Sequence, residues 1–201
     1  RFIINVCKQD QTRLDCVISI IGYLIHGYKD RATCPAIILN DENINDNPEG
    51  GTGKGLFISG IKNFKKVVTI DGKNFKFDKS FAFQRVELDS QLIAFEDVGK
   101  NFNFENLFSV ITEGIVVEKK NKGEFIIPFQ SAPKIILTTN YAIDGSGNSH
   151  ERRRIEIEFS QYYNKNRTPF SEFGRIMFDE WEENDWICST ISWLIAFQSI
   201  L

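Results

Sequence analysis

A short glycine-rich segment, residues 47–55, constrains the fold of this chain more than any other feature. Three glycines in four positions precede a lysine in the run Asn47-Pro48-Glu49-Gly50-Gly51-Thr52-Gly53-Lys54-Gly55. Glycine adopts positive φ angles easily, so successive backbone N–H groups can point at one anion while the lysine adds a positive charge. An apolar strand at 36–39 precedes the segment and a helical pattern follows it, which is the order that a phosphate-binding loop requires. The segment therefore predicts a nucleotide site, with a glycine-rich surface turn as the alternative; the predicted binding residues are Glu49, Gly50, Gly51, Thr52, Gly53, Lys54, Gly55 and Leu56.

The loop departs from the usual pattern at two positions. Pro48 replaces the first glycine, and Gly55 replaces the serine or threonine that normally follows the lysine. Because Gly55 has no hydroxyl group, it offers no side-chain ligand to Mg²⁺. We therefore expect the metal to be held by water and by carboxylates from elsewhere in the chain.

Two further apolar strands end in polar residues. The run 91–97 ends in Glu96 and Asp97, and the run 133–140 ends in Thr138, Thr139 and Asn140. Ligands bind at the carboxyl edge of parallel sheets, so these side chains are placed to meet a nucleotide. One acid would hold Mg²⁺ while the other polarises the attacking water, with Glu96 favoured as the metal partner by its position. Asn140 would hydrogen-bond the attacking water or the phosphate.

Two basic clusters stand out in a chain whose net charge is −3. Two β-rich runs at 115–118 and 124–128 flank an Asn–Lys–Gly turn and predict a hairpin, whose tip carries Lys119, Lys120 and Lys122. The second cluster, residues 152–154, enters an alternating strand. A solvated turn and surface ion pairs with Glu156 and Glu158 are the respective alternatives.

The rest of the chain indicates a reduced, soluble protein without a membrane span. The apolar stretch 16–25 is too short to cross a bilayer, and the four cysteines form no metal-like pair, which favours a cytoplasmic location. The spacing predicts helices over 10–28, 54–66, 171–182 and 184–200. Four phenylalanines between 75 and 83 favour core packing over stacking on bases. Because the chain begins at Arg1, we expect a fragment of a longer protein.

The order of these motifs resembles the superfamily 3 helicases of viruses and mobile elements. The run Phe95-Glu96-Asp97-Val98 resembles the acid motif of polyomavirus large T antigen, residues 118–122 resemble the pre-sensor hairpin, and Thr138-Thr139-Asn140 resembles the sensor strand. Arg152, or Arg153 next to it, matches the trans-acting arginine finger. Residues 161–201, with Thr168-Pro169, look more like the poxvirus-type primase-helicases of phages and plasmids.

The resemblance implies an AAA+-like P-loop NTPase fold, with a parallel α/β core, a β-hairpin insertion and a small C-terminal helical cap. It divides the chain into an N-terminal helical segment (1–34), an ATPase core (35–160) and the cap (161–201). It further implies ATP and Mg²⁺ as cofactors, a homo-oligomeric and usually hexameric ring, sequence-independent binding of single-stranded DNA, and a primase outside this segment. A P-loop nucleotide kinase and a nucleotide-regulated assembly ATPase that does not unwind DNA remain the alternatives.

Overall fold

A five-stranded parallel sheet forms the centre of the molecule. The computed structural model describes residues 1–43 and 50–198, and for residues 191–198 it describes the backbone alone. The strands of this sheet are β1 (Ala36–Asp41), β2 (Val67–Asp71), β3 (Leu92–Val98), β6 (Lys134–Thr139) and β7 (Arg154–Phe159). Their order across the sheet is β2-β3-β6-β1-β7. The predicted parallel α/β fold is confirmed.

The sheet is buried on both faces, as its continuous apolar runs require. Ile37 and Leu39 on β1 face a layer that contains the N-terminal helices, whereas Ile38 faces the layer of phenylalanines and the hairpin. On β6, Ile136 faces the layer of the N-terminal helices and Leu137 faces the layer of phenylalanines. The strands are therefore fixed in register, because a shift by one residue would exchange the two layers.

Seven α-helices surround the sheet in the described part of the chain. They are α1 (Phe2–Val6), α2 (Gln11–Ile25), α3 (Lys54–Lys62), α4 (Phe108–Thr112), α5 (Asn148–Glu151), α6 (Pro169–Phe173) and α7 (Glu183–Gln198), with a 3-10 helix at Phe104–Leu107. The helix predicted over 10–28 corresponds to α2, whose first turn is capped by Asp10. The periodicity did not predict α1, which is one turn long. Among the described residues, no helix is long and apolar enough to cross a bilayer.

The predicted hairpin is present as β4 (Gly114–Val117) and β5 (Phe125–Pro128), which pair antiparallel. Its inner face packs into the phenylalanine layer through Ile115, Val117 and Ile127. Phe75, Phe77 and Phe83 pack against the same layer, which confirms core packing for these three, while Phe81 is exposed.

The helix predicted over 171–182 is wrong. The helix α6 ends at Gly174, which adopts a left-handed φ of 70° and turns the chain. Residues 174–182 form turns in which Trp181 packs on Phe178, with ring centroids 4.6 Å apart, and on Trp186 at 4.9 Å. The side chain of Trp193 and residues 199–201 lie outside the described part of the chain, and the three-part division of the chain stays a prediction.

Lys134 at the start of β6 is a buried cation that caps a helix. Its ammonium group donates to the backbone carbonyls of Tyr23 and His26 (2.9 Å for His26), at the C-terminal end of α2. Burial lowers the pKa of Lys134 from 10.5 to about 8. Carbonyls at a helix C-terminus favour a cation, so this contact stabilises the packing of α2 against the sheet. The desolvation of the lysine opposes this stabilisation.

We expect the contribution of Lys134 to stability to rise with pH. Between about pH 8 and 10.5 the unfolded chain still carries the proton that the folded chain has released. The contribution of Lys134 to the free energy of unfolding therefore increases with pH in that window, by at most about 1.4 kcal/mol per pH unit. Urea unfolding between pH 7.5 and 10.5 measures how this free energy depends on pH: Lys134→Met should have a less positive slope than wild type, and Lys76→Met, at an exposed position, should have the wild-type slope. Equal slopes in wild type and Lys134→Met would contradict the assignment.

Candidate phosphate-binding site

A cavity of about 450 Å³ opens at the carboxyl edge of the sheet. Ligands bind at this edge in parallel α/β folds. The residues that line it come from four parts of the chain: Gly51, Thr52, Gly53, Lys54, Gly55, Leu56, Asp97, Thr138, Thr139, Asn140, Pro169, Phe170, Arg175, Ile176 and Met177.

The glycine-rich segment has the conformation of an anion-binding loop. Gly50, Gly51 and Gly53 have φ angles of 67°, 78° and 103°, and α3 begins at Lys54, immediately after the last of them. The N-terminus of α3 therefore faces the cavity with free N–H groups and the positive end of its dipole. Asn47, Pro48 and Glu49 lie outside the described residues.

The ammonium group of Lys54 is buried and has three acceptors. It donates to the Asp41 carboxylate, to the Asn140 side-chain oxygen at 2.7 Å and, more weakly, to the Thr52 hydroxyl at 3.3 Å. Burial lowers the pKa of Lys54, while the hydrogen bond to Asp41 and the charges of Asp41 and Asp97 oppose that shift. The lysine and the asparagine that the sequence placed in one site thus lie in contact.

Asp41 is a site residue that sequence reasoning missed. The apolar run predicts a strand that ends at residue 39, but β1 continues to Asp41, whose side chain is buried. Its Oδ1 accepts hydrogen bonds from Lys54 and from the Thr52 hydroxyl, the latter at 2.6 Å. The available signal was the same one used for Asp97: a polar residue directly after an apolar strand that leads to the loop.

A bulge in β3 turns Asp97 toward the cavity. The pairing with β6 shifts register between Phe95 and Val98, and Asp97 has a left-handed φ of 56°. Two threonines stabilise this conformation: the Thr138 hydroxyl accepts from the Asp97 N–H and the Thr139 hydroxyl donates to the Val98 carbonyl, each at 2.9 Å. Positive φ at a non-glycine residue is costly and concentrates at functional sites.

Glu96 and Asp97 are placed differently, and the preference for Glu96 as the metal partner stays a prediction. The Glu96 carboxylate contacts Lys62 of α3 at 3.2 Å and is not among the cavity-lining residues, whereas Asp97 is. Mg²⁺ commonly binds one or two carboxylates together with substrate phosphates and water. In the described part of the chain no three His, Cys, Asp or Glu residues cluster to hold a metal alone. Asp97 with neighbouring oxygens therefore fits a metal ion that arrives with a phosphate.

The arginine cluster lies at the opposite edge of the sheet. The Arg153 carbonyl accepts from the N–H of Ala36, the first residue of β1, at 2.8 Å. Arg154 donates to the carbonyls of Ile143 and Gly145. Arg153 stacks on Phe108 and donates to the Ser149 carbonyl.

Arg152 is exposed, and within the described residues its guanidinium has no hydrogen-bond or ion-pair partner. Of the two arginines predicted to act in trans, Arg152 is therefore the one whose guanidinium makes no contact of this kind with the described residues of its own chain.

The three hairpin lysines are not equivalent. The Lys119 ammonium contacts Glu87 at 2.5 Å and lies 5.6 Å from the Phe125 ring centroid, which leaves its side chain 17% exposed. Lys120 and Lys122 are exposed at the tip, where Asn121 has a φ of 60°. Only these two project as free cations, because Lys119 is paired with the body of the molecule.

Arg175 is the second residue that the sequence did not predict, and unlike Asp41 it had no sequence signal. It follows Gly174 and lines the cavity, and its guanidinium forms a two-pronged ion pair with Asp185, with both contacts at 2.5 Å. Phe170, Ile176 and Met177 form an apolar wall beside it. Residues of the segment 169–177 thus form part of the cavity wall.

We expect Gly53→Ala to destabilise the protein and Gly55→Ala not to. A Cβ at Gly53 would lie 2.9 Å from the Phe2 ring, and its φ of 103° is unfavourable for alanine. The Phe2 ring cannot move freely because it stacks on Tyr163, with centroids 5.5 Å apart. The loss should be about 1–3 kcal/mol in urea unfolding. Gly55 has open space and lies in α3, so alanine there should stabilise by up to about 1 kcal/mol. Equal effects of the two substitutions would contradict this geometry.

Solved structures with the same architecture are similar to this chain at low identity. The C-terminal region of NrS-1, in its A-form apo structure, gives a TM-score of 0.59 with 17% identity over 85% of this chain and 40% of that one. A second structure of that region gives 0.53 with 21% identity, over 79% and 36% of the two chains. JCV helicase gives only 0.47 with 14% identity, covering 79% and 44%, and adds nothing to the fold assignment. This chain spans less than half the length of each.

Sequence comparison places the chain in a family. No curated protein matches it. A family described as a family of unknown function, DUF5906, matches residues 47–154, which include the glycine-rich loop, the bulge, the hairpin and the arginine cluster. Since that match covers more than half of the 201 residues, the chain belongs to the DUF5906 family.

Proposed function

We propose that this chain is the ATP-hydrolysing motor domain of a DNA helicase, from a replicative primase-helicase of a phage or mobile element. ATP with Mg²⁺ would bind in the cavity at the carboxyl edge of the sheet. The domain would assemble as a homo-oligomeric ring, as the resemblance to superfamily 3 helicases implies, and translocate on single-stranded DNA. The division of the site between neighbouring subunits is the core of the proposal.

One observation carries this proposal: Lys54, Asp97 and Asn140 come from three elements and meet at one cavity, while Arg152 lies at the other edge of the sheet. Lys54 and Asn140 are in direct contact, and Asp97 lines the same cavity. A parallel strand of six residues spans about 20 Å, so Arg152 cannot reach the cavity of its own chain. A second copy that docks its amino edge on this carboxyl edge would supply the arginine.

The chemistry follows from the charges at the cavity. Backbone N–H groups of the loop and Lys54 would bind the β and γ phosphates, and Asn140 would orient the attacking water or the γ phosphate. Mg²⁺ bound with the nucleotide supplies positive charge to the phosphates, and Asp97 would position it. The arginine of the neighbour would stabilise the charge that develops in the transition state, and the apolar wall with Phe170 favours a base beside the phosphates.

The hairpin supports a role in contacting DNA. Lys120 and Lys122 project from the tip of a rigid two-stranded ribbon that is anchored in the core by Ile115 and Ile127. Exposed lysines bind phosphates rather than base edges, which makes binding independent of sequence and sensitive to salt. Because the hairpin is fixed to the body, a change at the subunit interface would move its tip along the strand.

We expect Arg152→Ala to bind ATP like wild type but to hydrolyse it about 10³-fold more slowly, because a trans-acting arginine acts on the transition state. Lys54→Ala should lose both hydrolysis and much of its nucleotide binding. A mixture of the two variants should regain activity, since one class of interface then carries an intact lysine and an intact arginine. Steady-state ATPase assays with single-stranded DNA measure all three preparations.

Arg154→Ala is the matched control for the mixing experiment. Arg154 donates to two carbonyls of its own chain, so its loss should lower stability and not be rescued by mixing. Full activity of Arg152→Ala, with no gain on mixing, would contradict a shared site. Turnover that needs a phosphate acceptor other than water would indicate a kinase, and slow turnover unaffected by DNA would indicate an assembly ATPase.

We expect the pair Lys120→Gln/Lys122→Gln to weaken binding of single-stranded DNA and to leave DNA-free ATP hydrolysis unchanged. Each lost phosphate contact should reduce the slope of log K against log salt by about 0.7. Lys119→Gln is the control, because the Lys119 ammonium is already paired with Glu87. Fluorescence anisotropy between 50 and 300 mM salt measures the slopes. An unchanged slope in the double variant would indicate that these lysines do not contact DNA and belong to a solvated turn.

A further inference from the structure

The acceptors around Lys54 leave no free donor on its ammonium group. An ammonium group has three N–H donors, and here they face Asp41, Asn140 and Thr52. A phosphate oxygen that binds Lys54 must therefore replace one of these acceptors. Asp41 is the only charged one of the three, so the approach of a phosphate brings two negative groups to the same cation.

The charges of the cavity do not compensate this repulsion. The charged residues among the described lining are Lys54, Asp97 and Arg175. Asp41 neutralises Lys54 and Asp185 neutralises Arg175, which leaves the negative charge of Asp97. A triphosphate without a metal therefore enters a cavity whose described side chains are net negative. Charge–charge repulsion is strong there because Asp41 and Lys54 are both buried, away from solvent.

We propose that Asp41 makes the site selective for the metal complex of the nucleotide over the metal-free nucleotide. This inference rests on the proposed nucleotide site and adds a residue that determines its specificity. Mg²⁺ on the phosphates cancels part of their charge, so that Asp41 can keep Lys54 and Thr52 in place while the complex binds. The metal-free nucleotide meets the Asp41 and Asp97 carboxylates without that compensation.

The other role for Asp41 is to position the loop without selecting the ligand. Its Oδ1 ties the Thr52 hydroxyl and the Lys54 ammonium to the end of β1. If that were its only role, neutralising Asp41 would weaken both forms of the nucleotide alike. Asp41→Asn separates the two roles, because asparagine keeps an oxygen acceptor for both donors and loses only the charge.

The test compares the affinity of the non-hydrolysable analogue AMP-PNP in excess Mg²⁺ and in EDTA, by calorimetry on the full chain. For wild type we expect the Kd in EDTA to be at least about 100-fold higher than in Mg²⁺. In Asp41→Asn this ratio should fall at least about tenfold, because the loss of the charge favours binding in EDTA more than binding in Mg²⁺. Asp41→Ser, which removes the charge and shortens the side chain, should weaken both forms through the loss of positioning and should still show the fall in the ratio. Asp78→Asn, at an exposed position, should keep the wild-type ratio.

The other possible results distinguish a failure of the role of Asp41 from a failure of the nucleotide site. An unchanged ratio in the Asp41 variants, equal weakening of both forms, or the same collapse in Asp78→Asn would overturn the role of Asp41. If neither Asp41 variant folds, as judged by its thermal transition, the wild-type protein still decides: equal binding of both forms overturns the inference and leaves the nucleotide site standing. No binding of either form by wild type would overturn the nucleotide site as well.

Discussion

The structure of the site depends on the contact between the Lys54 ammonium and the ends of two neighbouring strands. β1 and β6 are adjacent and parallel, which brings Asp41 and Asn140 to the same cation. A buried ammonium group is tolerated only when its donors are satisfied and its charge is compensated. The loop, the first turn of α3 and the two strand ends are therefore one unit, and a change in any of them alters the position of the lysine.

The same sheet sets the distance between the two groups of charged residues. Parallel strands put all carboxyl ends on one edge and all amino ends on the other, and the chain reaches β7 through the arginine cluster. The loop and the acid consequently lie at one edge and Arg152 at the other. In a single copy these groups do not meet, whereas a head-to-tail arrangement of copies brings the two edges together. Heterologous contacts of this type generate rings when the rotation closes.

The local features and the class of the fold could be predicted from the sequence, whereas several contacts between distant residues could not. Three glycines before a lysine, between an apolar strand and a helical pattern, predicted a phosphate-binding loop. The apolar runs ending in polar residues predicted β3 and β6 within one or two residues. The bulge at Asp97 depends on hydroxyl groups of Thr138 and Thr139, about forty positions away, so no pattern near residue 97 reveals it. The pairing of Lys119 with Glu87 is non-local in the same way.

Two residues of the site, Asp41 and Arg175, were not predicted from the pattern of the sequence alone. The apolar run predicted a strand that ends at residue 39, and only the pairing with β7 extends β1 to Asp41. Arg175 reaches the cavity because Gly174 ends α6 with a left-handed turn, which single-sequence periodicity reads as a continuing helix.

Together these two residues change the electrostatics that the motif alone suggests. A phosphate loop is usually read as a positive site, yet both cations that line this cavity are paired with carboxylates of the chain itself. In the proposed complex, the phosphates would be bound by the dipole of α3 and by the N–H groups of the glycines, which act on any anion at short range. Gly55 removes the hydroxyl that would normally hold a metal, and Asp97 lines the cavity with a carboxylate. In the proposed complex, the ligand and its metal would therefore complete the charge balance of the site.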